Sequence, residues 1–233
     1  MDASGLGSAA AVLWDIDGTL LTSGGVAARA FLDAVEQVTG RPPVPDGIEF
    51  GGRIDPEIAT LLLASIDHDA EHVPAVLARL HDLVQAQVDR MGEHTRVFPG
   101  VRDLVDRLAD AKIRQTVVTG NIRSVAEVKL GAAGLVPPIE LEVGGFGDSG
   151  TTRVEVARAS LEALFGADWP ARVGETWIIG DTPRDLACAQ ALGVRCALVA
   201  TGRTELQALQ GLGADVVLAG LEVPQDARLL WGS

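Results

Sequence analysis

The feature that most constrains the fold of this chain is the alternation of short apolar runs with segments of helical periodicity. The runs are AVLW at 11–14, QTVV at 115–118, WII at 177–179, CALVA at 196–200 and VVLA after Asp215. Each of the first four stops at a turn that contains Gly or Asp, as strands buried on both faces of a sheet do. Such alternation predicts an α/β fold with a parallel sheet.

Apolar residues at i, i+3, i+4 and i+7 predict the helices between these runs. The pattern is clear just after the Pro99-Gly100 break, and Ser124 with Glu127 resembles a capping box that opens the next helix. Two more helices are predicted at 155–165 and 184–192. We therefore expect a Rossmann-like parallel-sheet core.

One long segment, residues 21–95, interrupts the alternation. It has no convincing strand and contains three helix-period stretches, at 26–38, 55–65 and 74–91. We interpret it as an α-helical cap domain inserted into a core domain formed by 1–20 and 96–233, with hinges near 19–23 and 95–99. The C-terminal segment from about 222, which ends at Leu229-Leu230-Trp231, is too short to form a domain and is expected to dock on the core or on another chain.

Charge and composition argue against several classes of protein. The net charge of −13 opposes binding to nucleic acid, which needs clustered positive charge. No apolar stretch approaches the roughly 18–20 residues that span a bilayer, and the N-terminus lacks the positive region of a signal peptide. The two cysteines indicate no disulfide framework. We expect a cytoplasmic protein with no membrane or nucleic-acid partner, and the sequence indicates no oligomeric state.

Asp15 and Asp17 are the strongest chemical signal, because they follow directly on the first buried run. Side chains two residues apart on an extended backbone project to the same side, and Gly18 permits a sharp turn after them. In an open parallel sheet, ligands bind beyond the carboxyl ends of the strands. Paired carboxylates there could bind a divalent cation, and one could attack an electrophile while the other transfers a proton. The alternative is an aspartate pair that only caps a turn.

Two further strand ends are predicted to meet the same edge of the sheet. Thr119, Gly120 and Asn121 offer a hydroxyl and backbone N–H groups that suit an anion, although such a tripeptide is more often a plain turn. Asp181 and Asp185 follow the run WII and could complete a set of oxygen ligands for Mg²⁺. Acidic residues are also favoured by the dipole in a first helical turn. The convergence of the three strand ends favours a functional site.

These residues lie in segments that resemble three motifs of the haloacid dehalogenase-like hydrolases, namely VLWDIDGTLL, VVTGN and IIGDTPRD. Trp14, the TGN tripeptide and GDTP resemble a bacterial phosphoglycolate-phosphatase-like branch, and FGGRIDPEIATLLL at 50–63 is similar to a stretch of its cap. The resemblance runs from about residue 11 to 202. It implies a Mg²⁺-dependent phosphatase that acts on a small phosphorylated metabolite.

The resemblance also implies a role for each matching residue of the reaction site. Asp15 would be the nucleophile that forms an aspartyl-phosphate, and Asp17 would protonate the leaving alcohol and then activate water. Thr119 would hold a phosphoryl oxygen, with Gly120 and Asn121 beside it as substrate-binding residues.

The implied Mg²⁺ site draws on residues of two motifs. Asp181 would bind the ion together with Asp15 and the carbonyl of Asp17, and Asp185 would support the site. A cation there would let an anionic carboxylate approach an anionic phosphate.

The third motif of the family is a basic residue that usually stands in a Lys-Pro context. No Lys-Pro occurs in this sequence. The candidates are Arg153 and Lys129. We favour Arg153 because it opens the next predicted helix at about the family's chain position, although an arginine there could also be an ordinary surface residue. Lys129 lies about ten residues beyond Thr119 and would otherwise belong to a solvated helix face.

In the predicted cap, the loop of Gly51, Gly52, Arg53 and Asp55 is the best candidate for facing the substrate. Gly52 allows close approach, and Arg53 could pair with a substrate carboxylate. A helix-capping Asp55 beside a surface Arg53 is an equally good account.

Residues within the motifs argue against some reactions of the family. Asp17 argues against the haloacid dehalogenases, which generally lack this carboxylate, and the absence of lysine from the cap argues against phosphonoacetaldehyde hydrolases, which use one. Two alternatives stay open. One is a sugar phosphomutase, which retains both aspartates, and the other is a catalytically silent binding module on the same scaffold.

Overall fold

The computed structural model describes residues 9–222. Its strands are β1 (Ala11–Trp14), β2 (Leu21–Thr22), β3 (Arg96–Val97), β4 (Arg114–Val117), β5 (Thr176–Gly180), β6 (Arg195–Val199) and β7 (Val216–Leu218). Five of them form a sheet of order β4-β1-β5-β6-β7 in which every neighbouring pair is parallel. The five predicted runs match these five strands to within a residue or so at each end. The expected docking of the C-terminal segment that ends at Leu229-Leu230-Trp231 concerns residues outside the described part.

The described residues form helices α1 (Val26–Thr39), α2 (Asp55–Ala64), α3 (Val73–Gln85), α4 (Val88–His94), α5 (Val101–Asp110), α6 (Arg123–Ala133), α7 (Arg153–Phe165), α8 (Pro183–Leu192) and α9 (Leu206–Gln210). Helices α5 to α9 pack on the two faces of the sheet. Val12 and Trp14 of β1 pack with α5 and α6, whereas Ala11 and Leu13 pack with α7 and α8. Successive side chains of a strand point to opposite faces, so each strand needs apolar residues throughout.

The helical insert packs on the core through α6. Helices α1 to α4 share one apolar cluster with Ile122 and Val125, which lie at the start of α6. At its base, Leu21 pairs with Val97 in the antiparallel strands β2 and β3. The predicted fold class, a Rossmann-like parallel-sheet core with an inserted α-helical cap, is confirmed. Among residues 9–222, no helix has the length and apolar character needed to cross a membrane.

Three local predictions were wrong. The stretch 74–91 forms two helices, because the chain leaves helical geometry at Gln87. The insert begins with a short strand, β2. Helix α6 begins at Arg123 without a side-chain cap from the residues beside it, so Ser124 and Glu127 form no capping box. The carboxylate of the distant Asp55 takes the role of the local cap, as described below.

Candidate active site

Three strand ends meet at one edge of the sheet and carry the predicted polar residues. Asp15 follows β1, Thr119 follows β4 and Asp181 follows β5, and β1 lies between the other two. All three side chains are buried. Carboxylate oxygens of Asp15, Asp181 and Asp185 lie within 4.8 Å of one another. The structure thus brings together residues that are far apart in the sequence.

Arg153 lies inside this acidic cluster. Its Nη2 donates to Asp15 Oδ1 at 2.7 Å, to the carbonyl of Val118 at 3.2 Å and to Asp185 Oδ1. Burial opposes its charge, but Asp185 and Asp15 outweigh that effect and raise the pKa of the guanidinium. The alternative of an ordinary surface arginine is therefore wrong, since only 9% of the residue is exposed.

Asp185 organises the cluster from the first turn of α8. Its Oδ2 accepts from the backbone N–H of Thr182 at 3.0 Å and from the hydroxyl of Thr182 at 2.6 Å, which makes a capping box. Its Oδ1 accepts from Arg153. The helix-capping interpretation of Asp185 and its place in the site are therefore compatible. Both of its oxygens are already engaged, which suits a supporting position beside a metal ion.

The acidic cluster has the electrostatic character of a cation site. Burial, followed by the charge of Asp185, raises the pKa of Asp15 well above its ordinary value and that of Asp181 to about 7. Three buried carboxylates face the single charge of Arg153, so a bound cation would offset the remaining negative charge. Hard oxygen donors are those that Mg²⁺ prefers.

Two glycines lie directly against the carboxylate group of Asp181. A Cβ on Gly202 would lie 1.6 Å from Asp181 Oδ2, and one on Gly18 would lie 2.4 Å from the same atom. Gly18 also has a φ of 94°, which side chains rarely adopt. A side chain at either glycine would displace the Asp181 carboxylate. The cluster of buried carboxylates fits a small cation held at Asp181 and Asp15.

Lys129 reaches the same edge of the sheet from α6. Its Nζ lies 2.5 Å from Asp17 Oδ2 and 2.7 Å from Asn121 Oδ1. The residue is only 3% exposed, so the alternative of a solvated helix face is wrong. Each of the two candidate basic residues thus contacts one member of the Asp15 and Asp17 pair.

The loop after β4 touches the helical insert at backbone distance. The N–H of Asp55 donates to the carbonyl of Gly120 at 2.7 Å, and the N–H of Ile122 donates to Asp55 Oδ2 at 2.8 Å. A Cβ on Gly120 would lie 1.8 Å from the carbonyl oxygen of Arg53. Asp55 does cap a helix, as one interpretation of the sequence held, but that helix is α6 rather than its own. Burial raises its pKa to about 7.

The glycine loop of the insert lies against the core loop that follows β5. Gly52 has a φ of 69°, and a Cβ there would lie 2.7 Å from the hydroxyl oxygen of Thr182. Arg184 donates to the carbonyl of Gly51 at 3.1 Å. Arg53 pairs with Glu57 and donates from Nε to the carbonyl of Glu49 at 2.8 Å. Its proposed contact with a substrate carboxylate stays a prediction.

Sequence reasoning missed several residues that hold the site in place. The hydroxyl of Thr19 donates to Asp181 Oδ1 at 3.3 Å, and that of Thr201 donates to the carbonyl of Gly18 at 2.6 Å. Thr201 and Gly202 end the run CALVA, so the strand-end rule that located Asp15 also pointed to them. Asp55 was singled out in the sequence, but its bond to Ile122 had no comparable signal, because the two residues lie 67 positions apart.

The fold and this site define a class: α/β enzymes with a parallel sheet, a helical insert and buried carboxylates at the strand ends. Residues 12–190 match the family described as haloacid dehalogenase-like hydrolase. The chain is 30% identical to a phosphoglycolate phosphatase from Caulobacter vibrioides, over 93% of this chain and 90% of the relative. It is 29% identical to a phosphoglycolate phosphatase from Chromobacterium violaceum, over 89% and 91%.

Solved structures share the fold at lower sequence identity. A predicted phosphatase from Clostridium acetobutylicum aligns with a TM-score of 0.70 at 18% identity, over 92% of this chain and 95% of that one. The chain belongs to the haloacid dehalogenase-like hydrolase family. The resemblance noted in the sequence, and the prediction of an enzyme of this family, are confirmed.

Proposed function

We propose that the chain is a Mg²⁺-dependent phosphatase that hydrolyses small phosphomonoesters of the phosphoglycolate type through an aspartyl-phosphate on Asp15. The observation that carries the proposal is the environment of Asp15, which is buried beside Asp181, paired with Arg153 and followed two residues later by Asp17. Curated relatives at about 30% identity are named phosphoglycolate phosphatases, which supports the substrate class. We also propose that the enzyme works in the cytoplasm.

In the first step, a carboxylate oxygen of Asp15 attacks the phosphorus atom. The new bond forms as the bond from phosphorus to the ester oxygen breaks, and Asp17 gives its proton to the departing alcohol. The side chain of Asp17 is 42% exposed, whereas that of Asp15 is 8% exposed. This difference suits a proton carrier that meets the leaving group and a nucleophile shielded from water.

In the second step, Asp17 takes a proton from a water molecule as the water oxygen bonds to phosphorus. The bond from phosphorus to Asp15 breaks, inorganic phosphate leaves, and both carboxyl groups regain their starting states. Thr119, whose hydroxyl accepts from the N–H of Asn121 at 3.2 Å, would hold a phosphoryl oxygen through its own proton.

Mg²⁺ would be held by Asp15, Asp181 and the carbonyl of Asp17, with Asp185 in support. When bound, it offsets the charge of the carboxylate and the phosphate and so lets them approach. Arg153 is assigned the role of the basic third-motif residue because it contacts Asp15 itself. Its Nε and Nη1 are buried and have no hydrogen-bond partner among the described residues, which leaves two donors for phosphoryl oxygens.

The helical insert is proposed to be a movable cap formed by 21–95 on a core of 1–20 and 96–233. Turnover requires an opening for the substrate and then the exclusion of bulk water. The docked contacts of Asp55 and Gly120 support a closed state. The paired strands β2 and β3 lie at the two chain crossings and are the proposed hinges.

The test is the release of inorganic phosphate from a panel of small phosphomonoesters, with Mg²⁺ or with EDTA, by wild type and Asp15→Asn. Release that needs Mg²⁺ and is lost in Asp15→Asn supports the proposal and ranks the substrates. Conversion of a sugar phosphate to its isomer without phosphate release would instead identify a phosphomutase. Neither reaction from a folded protein would identify a silent binding module.

A further inference from the structure

The amine of Lys129 is a buried cation that the reaction described above does not use. It lies on α6, only 3% of the residue is exposed, and its two hydrogen bonds go to Asp17 and Asn121. Burying an ammonium group is costly unless it is paired and hydrogen-bonded. The role of Lys129 should therefore be found in the two residues to which its amine is hydrogen-bonded.

The side chain of Asp17 has few interactions that fix its position. Among residues 9–222, Lys129 is the one side chain found hydrogen-bonded to this carboxylate, and the side chain is 42% exposed. A proton donor has to lie within hydrogen-bond reach of the leaving oxygen, so a freely rotating carboxyl group would be poorly placed. The Lys129 contact fixes the position of Oδ2.

The two buried cations, Arg153 and Lys129, each pair with a different aspartate of the Asp15 and Asp17 pair. Arg153 pairs with Asp15 and Asp185, and its hydrogen bonds and ion pairs within the described residues do not include Asp17. Lys129 pairs with Asp17, and no ion pair within the same residues joins it to Asp15. The contacts therefore separate a cation for the nucleophile from a cation for the proton carrier.

The helix that carries Lys129 is anchored near its start, and the amine of Lys129 is itself hydrogen-bonded there. Asn121 Oδ1 accepts from the amine at 2.7 Å, and the start of α6 is tied to the insert by the bond from Ile122 to Asp55. Val125 and Ile122 are packed in the apolar cluster of the insert. The amine is thus presented to Asp17 from a fixed helix.

We propose that Lys129 is a positioning residue that holds the carboxyl group of Asp17 in place for proton transfer to the leaving oxygen, and that it does not bind the phosphoryl group. The inference rests on the proposed phosphatase function. It assigns to Lys129 a role different from that of the third motif.

The test compares two kinds of ester with the Lys129→Met variant. An alkyl phosphate needs a proton on its leaving oxygen, whereas 4-nitrophenyl phosphate releases a stable phenolate without one. We expect Lys129→Met to lower kcat/KM for the alkyl ester by about 100-fold or more, the usual scale of general acid catalysis, and for the nitrophenyl ester by less than about tenfold. The other lysine of the chain, the exposed Lys112, supplies the control Lys112→Met, which should change neither value.

Equal losses for both esters, or no loss for either, would overturn the proposal. Lys129→Gln, which keeps a polar amide donor, replaces the Met variant if circular dichroism shows that variant to be unfolded, and the same contrast between esters is expected. In an Asp17→Asn background, Lys129→Met should cause no further loss of kcat/KM for the nitrophenyl ester. A further loss that adds to that of Asp17→Asn would count against the proposal. If wild type releases no phosphate, the proposed function fails together with the inference. If wild type releases phosphate but the contrast between the esters is absent, only the inference about Lys129 fails.

Discussion

Replacing Gly120 by alanine is expected to prevent the helical insert from docking over the site. The added Cβ would lie 1.8 Å from the carbonyl oxygen of Arg53, where ordinary contact begins at 3.4 Å. The two backbones would have to separate by well over an ångström. That movement breaks the bond from Asp55 to Gly120 at 2.7 Å and the bond from Ile122 to the Asp55 carboxylate at 2.8 Å.

The size of the effect follows from those two hydrogen bonds. A neutral bond contributes about 0.5–1.5 kcal/mol and one to a charged group about 1.5–3 kcal/mol, so the docked state loses about 2–4.5 kcal/mol. This corresponds to a shift of roughly 30- to 1,600-fold in the docking equilibrium. If turnover needs the docked state, kcat/KM should fall by a factor within that range.

The assay is steady-state kinetics combined with amide hydrogen exchange at β2 and β3. Gly131→Ala is the matched control, because Gly131 lies on α6, the helix that begins three residues after Gly120, with nothing within 4 Å of an added Cβ. It should keep full activity and gain about 0.5–1 kcal/mol in the free energy of unfolding. The reasoning is refuted if Gly120→Ala keeps kcat/KM within twofold of wild type while remaining folded.

Three further predictions concern the metal site, the buried arginine and pH. In Gly202→Ala the added Cβ would lie 1.6 Å from Asp181 Oδ2, so the Mg²⁺ concentration for half-maximal activity should rise by about tenfold or more. The control Gly220→Ala should leave that concentration unchanged. An unchanged Mg²⁺ titration for Gly202→Ala would contradict the prediction. Arg153→Ala leaves Asp15 and Asp185 without their cation and should lower the free energy of unfolding by about 3–5 kcal/mol and abolish turnover. If instead Arg153→Ala turns over normally and only Lys129→Ala is inactive, the third-motif assignment is wrong. Asp55 has a pKa of about 7 in the folded chain, above its ordinary value, so the folded state holds its proton to higher pH than the unfolded state. Its contribution to stability is therefore present at low pH and lost as the pH rises towards 7. In urea titrations with EDTA, the free energy of unfolding of Asp55→Asn should fall less than that of wild type over this pH range. Equal falls in the two proteins would refute the prediction.

The sheet and most of the site could be predicted because both depend on local sequence. The buried runs, among them AVLW and WII, are apolar on both faces, and parallel strands bring their carboxyl ends to one edge. Asp15, Thr119 and Asp181 are therefore found by asking which residue follows each strand.

The parts that could not be predicted depend on how distant elements pack. Nothing local to Asp55 indicates that its carboxylate caps α6, and the mistaken capping box at Ser124 shows how a tertiary partner replaces a local one. The choice between Arg153 and Lys129 stayed open because a helical position fixes a face but not what that face meets. The structure indicates that both are buried and that each meets a different aspartate.

The most direct test of the central claim is to trap the phosphorylated enzyme. Wild type is mixed with a turned-over phosphomonoester and Mg²⁺, quenched in acid within the first turnover, and digested with trypsin for mass spectrometry. The account predicts phosphate on Asp15, in the tryptic peptide that ends at Arg29, and no phosphate on that peptide in Asp15→Asn. A burst of alcohol product with no phosphate on the protein, or with phosphate on another residue, would contradict the account.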